Sequence, residues 1–355
     1  MHLEAFLATF LETYLPADSS SSSAPGGWMT IAISSTTRTP ALTAALHALS
    51  MTKLARAQND RPLLTAGMQA HGYALRVLQS AIYDTQRAWE DQTLAAVRVL
   101  STYELHESTM SSTVGWIKHE EVRGLQFRKS SFFSEQRWLT EPWARRPKST
   151  AQQLYDIGLH IPALLECLGD APPLLPSART QHYASILQRC RQIDQRLETW
   201  SNGLTDAAGG SATLYWTAAP GPDATDLLFP FKDMLVFLDI EVADTMTVYW
   251  SLRLLVLATM RMLIPAHEPT VTRTGAHITE YALRIAKAVP YCMAPKAGYI
   301  GVHRIMFPLR VAMEAFKRRG LANEEEWCRT TLEALRKRGV MFGADIVQTQ
   351  DHGWK

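Results

Sequence analysis

Cysteine is scarce and scattered in this chain. Cys167, Cys190, Cys292 and Cys328 stand far apart. That spacing excludes a disulfide framework and points to buried thiols in a reducing compartment. It also excludes a zinc site built on short Cys-x-x-Cys spacings, because zinc needs thiolates held within bonding reach. Charge of one sign is missing as well: 36 Lys and Arg against 34 Asp and Glu leave a formal net charge of +2. So small a balance offers little counterion release, and direct binding to nucleic acid is not expected. Long uncharged apolar runs are absent too. The most apolar stretch, residues 246–264, carries Arg253 and Arg261, which makes a buried helix of a folded domain the better reading than a membrane span. The first residues lack a basic region ahead of an apolar one, and Glu4 and Glu12 interrupt the pattern, so a secretory signal is not expected.

Signature motifs are equally thin. There is no His-Glu-x-x-His and no Gly-x-Ser-x-Gly elbow. "AAGGSA" (207–212) lacks the lysine a phosphate loop would need. No run alternates long enough to build a sheet, and no period repeats. The reading calls for no cofactor and no metal.

What is present is helical periodicity. Leu3, Phe6, Leu7 and Phe10 fall at i, i+3, i+4 and i+7, and Pro16 ends the stripe. Helices are predicted over 41–57, 63–84 and 91–107, broken at Asn59-Asp60-Arg61-Pro62 and at 84–90. The second shows a stripe of Leu64, Met68, His71, Leu75, Leu78 and Ile82; the third places Ala96, Val99, Leu100 and Tyr103 on one face. Further helices are predicted over 152–168, 178–200, 231–264, 277–289, 302–319 and 324–338. Segments 18–27 ("DSSSSSAPGG") and 201–226 read as flexible surface loops. The expected fold is all-α: one large array of roughly ten or more helices forming a single domain over 1–355.

Several stretches together resemble the regulatory domain of fungal zinc-cluster transcription factors. They are the opening helix, "TPALTAALHALSMTKLAR" (39–56), "YALRVLQSAI" (73–82), "DQTLAAVRVLSTYELHE" (91–107) and "GWIKH" (115–119). "TEPWARRP" (140–147), "LDIEVADTMTVYWSLRLLVL" (238–257), "FPLRVAMEAF" (307–316) and "EWCRTTLEALRKRGV" (326–340) extend the likeness along the chain. In that family a six-cysteine module holding two zinc ions precedes the regulatory domain. The dispersed thiols here match no such module, so the expectation is a regulatory protein without its own DNA-binding head. The resemblance implies action through another regulator, a second copy of the chain as a homodimer, or a small-molecule ligand. It implies control of a biosynthetic gene set, from the nucleus or cytoplasm. The alternative is a cofactor-free enzyme, a cyclase or isomerase of secondary metabolism grown from the same scaffold, since proximity and shape can drive such reactions with few polar groups.

The sequence departs from the family pattern around one region. Val122 stands where a glycine is usual, and the stretch between His119 and Trp143 is short. Nearby, Tyr103, His106 and Glu107 share a helical face, and Trp116-x-x-His119 follows. A histidine beside a carboxylate can serve as general base, a tyrosine can donate to an oxyanion, and a tryptophan can stack on a flat ligand. Tyr103, His106, Trp116 and His119 are therefore the candidate ligand contacts, with His106, Glu107, His119 and Tyr103 as candidate acid–base residues if the protein is an enzyme. Asp239, set among Leu235, Leu238, Val242, Met246 and Tyr249, joins them as a carboxylate expected either to find a basic partner or to line a wet cavity. His71, inside an apolar stripe, reads as a core histidine. The clusters Lys317-Arg318-Arg319 and Arg336-Lys337-Arg338 each precede a glycine, the pattern of an ordinary helix C-terminus.

Overall fold

The computed structural model describes Leu7, residues 38–84, Arg87, 90–107, 134–140, 147–169, 176–220, 229–264 and 268–337. Of the sequence-based expectations, loop 18–27, Trp116 and His119 lie outside these residues, as does the opening helix apart from Leu7, which is helical and buried.

The fold is helical. Its elements run α1 (Pro40–Gln58), α2 (Arg61–Tyr83), α3 (Asp91–Glu107), α4 (Gln136–Thr140), α5 (Thr150–Gly158), α6 (Ile161–Gly169) and α7 (Pro176–Ala207). A hairpin of β1 (Tyr215–Ala218) and β2 (Met234–Phe237) follows, then α8 (Ile240–Leu263), α9 (Pro269–Met293), α10 (Gly298–Arg319) and α11 (Ala322–Lys337). The hairpin corrects the expectation of no sheet, and it also shortens the helix predicted from residue 231, which starts at Ile240 instead. The loop expected over 201–226 is likewise helical as far as Ala207.

Local chemistry explains the boundaries. Thr39 caps α1 by accepting from Leu42 N at 3.4 Å, with Pro40 in the first turn. Asn59 ends α1 in the left-handed conformation (φ 57°), and Asp60 N reaches back to Ala55 O at 2.9 Å. Asp60 then caps α2 by accepting from Leu63 N at 3.0 Å. Ser149 and Gln152 form a reciprocal capping box at the start of α5. Helix α10 ends on Gly320 (φ 69°), whose N–H donates to Lys317 O at 3.1 Å while Leu321 N donates to Phe316 O at 3.0 Å. The basic triplet 317–319 is thus a helix end, as its pattern indicates.

Contacts gather the chain into two compact units. The first takes Met1–Trp116, Met293–His303 and Leu332–Lys355; the second takes Ile117–Cys292 and Arg304–Thr331. In the first unit, the core joins Leu42, Leu46 and Leu49 of α1 to Ala74 and Leu78 of α2 and to Ala96, Val99, Leu100 and Tyr103 of α3. The α3 stripe faces inward as predicted. The α2 stripe does so only in part: Leu78 is buried and Leu75 packs against the core, but Met68 and Ile82 are exposed, and the buried line is Gly67, Ala74, Leu78 and Ala81. The reason is close helix approach. A Cβ on Gly67 would lie 2.2 Å from Thr52 Oγ1 and 3.0 Å from Thr52 N, so this crossing admits only the smallest side chains.

In the second unit the central element is α8, buried along most of its length. Trp250, fully buried, meets Tyr215 edge-on at 5.4 Å and Phe237 at 6.2 Å. Tyr215 and Phe237 are cross-strand partners in the antiparallel hairpin, so the short strands hold an aromatic pair against this helix. Among the described residues no helix is long and apolar enough to cross a membrane.

Candidate functional site

Of the residues singled out in the sequence, Tyr103 is buried on α3 in the first unit. Its ring stacks on His71 of α2 at 4.1 Å and 10°. His71 thus packs in the helical array, as a core histidine would. His106 and Glu107 occupy the last turn of α3, but their side chains, with Trp116 and His119, lie outside the described residues. Asp239 belongs to the other unit, and its expected environment needs correction. It is not inside a helix among apolar groups but at the exposed N-cap of α8, accepting from Val242 N at 2.8 Å. Helix α8 begins later than the apolar run suggests, which turns a would-be buried carboxylate into a cap.

Two other carboxylates of the second unit are withdrawn from solvent, Asp194 partly and Asp244 almost wholly. Asp194 of α7 takes the guanidinium of Arg253 (α8) on both oxygens, at 2.8 and 3.3 Å. Arg253 also donates to Tyr249 Oη at 3.1 Å. This accounts for one arginine within the apolar stretch 246–264. The other, Arg261, donates to Val271 O at 3.1 Å. The carboxylate, with the phenol oxygen, holds Arg253 above the ordinary arginine range, although burial acts the other way. Burial lifts the Tyr281 phenol as well. Asp244, only 6% exposed, pairs with Arg304 at 3.3 Å. Burial first, and then Asp244, raises the Cys292 thiol out of its reactive range.

The second unit also contains a groove of about 1130 Å³ between α5 and α7. Thr150, Gln153 and Ile157 line it from α5 at i, i+3 and i+7, and His160 follows in the turn beyond. From α7 it is lined by Arg189, Gln192, Ile193, Arg196, Thr199, Trp200, Gly203 and Leu204, one face of a helix. The two helices run in opposite senses. Trp200 Nε1 donates to Thr150 O at 2.9 Å at one end, and Arg189 approaches Cys167 Sγ at 3.7 Å beyond the other. His160, Arg189 and Arg196 therefore lie toward one end of the groove, and Trp200, Gly203 and Leu204 toward the other. Burial lowers the His160 pKa, and Arg196 and Arg189 add to the shift against a smaller opposing effect of Asp156, so this imidazole is neutral near pH 7. Asp156 itself is ion-paired with Lys148. Among the described residues, no carboxylate forms an ion pair with Arg189 or Arg196. At Gly203 an added Cβ would meet nothing within 4 Å, so the groove is open there.

None of these groove residues was singled out in the sequence. The available signal was the polar line Arg189, Gln192, Arg196, Thr199 and Gly203 along a helix whose other face is apolar; it reads as a solvated face until α5 is laid beside it. Among the described residues, no group of three or more His, Cys, Asp or Glu is placed to hold a metal ion.

With these elements in view, comparison with known proteins finds a likeness to one family over part of the chain. Residues 4–122 match the family model of the fungal specific transcription factor domain. The match takes in α1, α2 and α3 and stops short of the groove, whose lining begins at Thr150. No curated protein and no solved structure matches the chain.

Proposed function

We propose that the chain is a transcription-factor-like regulatory protein, acting in the nucleus or cytoplasm by binding a small molecule or a partner regulator, in control of a biosynthetic gene set. The observation that carries this reading is the family match over residues 4–122. Within the matched segment α1, α2 and α3 pack around a core of leucines and alanines, as a folded helical domain of that family would. Ligand or partner binding would act by favouring one arrangement of the helical array over another.

Deletion of the gene tests the reading directly. Transcripts of the controlled pathway should fall, and restoring the chain should return them. Unchanged transcripts together with an accumulated precursor would overturn the proposal in favour of an enzyme.

A further inference from the structure

We infer that the groove between α5 and α7 binds an elongated organic carboxylate, with its head at the His160, Arg189 and Arg196 end and its apolar body along Ile193, Trp200 and Leu204. As the ligand of a regulator this molecule rests on the proposal above; the binding itself does not.

Four features of the groove favour that occupant. First, the lining of α7 from Arg189 to Ala207 spans roughly 27 Å at the helical rise. The volume of about 1130 Å³ therefore suits an extended molecule better than a compact one. Second, the ends differ in chemistry. Two guanidinium groups whose charge no described carboxylate neutralises flank one end. A guanidinium offers a planar fork of donors that matches a carboxylate. The one acid in the lining, Asp156, already has its charge balanced by Lys148. Third, the middle and far end supply a narrow apolar strip, the edges of Ile193 and Trp200 beside the half-buried Leu204. Ile157, Ile193 and Trp200 form a nearly buried floor, and the Trp200 ring is fixed by its bond to Thr150 O. Fourth, Gly203 sits within a long helix, where glycine costs stability relative to alanine. No neighbouring atom demands its small size, while any side chain there would project into the groove.

The fourth feature provides a test that separates binding from folding. The full chain is titrated calorimetrically with dodecanoate below its micelle concentration, and in parallel with its uncharged methyl ester. Saturable binding of the acid and a clear preference for it over the ester are expected. Gly203→Leu should abolish that binding while holding or raising the melting temperature. The pair Arg189→Gln/Arg196→Gln, both exposed positions, should weaken acid binding by about tenfold and remove the preference over the ester, with an unchanged circular dichroism spectrum. Absence of saturable binding by the wild type, equal binding of acid and ester, or binding undisturbed by Gly203→Leu would each overturn the inference. Binding as expected with unaltered pathway transcripts on gene deletion would overturn the regulatory reading alone. Altered transcripts without binding would overturn the groove assignment alone.

Discussion

Two glycines inside helices carry opposite consequences for one substitution. Gly67 and Gly203 each lose the same backbone entropy on folding, and alanine would relieve each by up to about 1 kcal/mol. At Gly203 that gain has no opponent, because nothing lies within 4 Å of the new methyl group. At Gly67 the methyl group would sit 2.2 Å from Thr52 Oγ1 and 3.0 Å from Thr52 N. The hydroxyl could rotate away, but the backbone of α1 could not yield without moving its own core contacts. Overpacking of this kind costs about 1–3 kcal/mol, which exceeds the propensity gain. Gly67→Ala should therefore lower the unfolding midpoint in urea, and Gly203→Ala should raise it. A Gly67→Ala midpoint equal to or above wild type would show that α1 and α2 do not cross as closely as described.

Between elements, the decisive contact of the second unit is the fork of Arg253 on Asp194, which ties α8 to α7. Both side chains are largely buried, at 12% and 20% exposure. Removing one partner leaves a charge without compensation, which costs about 3 kcal/mol or more. Replacing both by apolar residues forfeits the attraction but also the desolvation penalty. Arg253→Met is thus expected to destabilise strongly, and Asp194→Leu/Arg253→Met to destabilise less than Arg253→Met alone, measured by denaturant unfolding. A double variant worse than either single one would reject the pairing. The contact could not be read from the sequence, because its members stand 59 positions apart and nothing local links them. Elements that depend on local chemistry were legible. Helix α3 runs over 91–107 as its periodicity indicates, and the Asn59–Asp60 break carries both of its caps. The hairpin was not legible: two four-residue strands are too short to show alternation, and the apolar run from Phe231 blends into α8. That blending also displaced Asp239 from cap to apparent core. Of the candidate site, only the burial of Tyr103 and the packing of His71 followed from local pattern. The groove needed two helices brought together, and a polar stripe on one helix does not announce its neighbour.

For the whole molecule, folding has a consistent effect on three histidines. Burial lowers the pKa of His47, with Arg38 adding to it, and burial likewise lowers that of His160. His303, whose ring nitrogens are buried, is pushed down to about 3, mainly by burial and further by Lys53. Each is therefore neutral in the folded chain under conditions where the unfolded chain, titrating near 6.5, already binds a proton. Between those two values the unfolded state holds more protons, so acid favours unfolding. The stabilisation is fully present above about pH 6.5 and is lost as pH falls toward the folded values, with a limiting slope of roughly 1.4 kcal/mol per pH unit for each such histidine. His303, with the lowest folded value, keeps contributing to the slope down to about pH 3, beyond the point where ordinary histidines have titrated in both states. Unfolding free energy measured in urea should accordingly fall between pH 7 and pH 5 by roughly 2 kcal/mol from His303 alone. His303→Gln should flatten that dependence even if it lowers stability at pH 7, because glutamine has no proton to gain. A wild-type stability that stays level from pH 7 to pH 5, or a His303→Gln profile parallel to it, would mean that this imidazole is not held neutral by the fold.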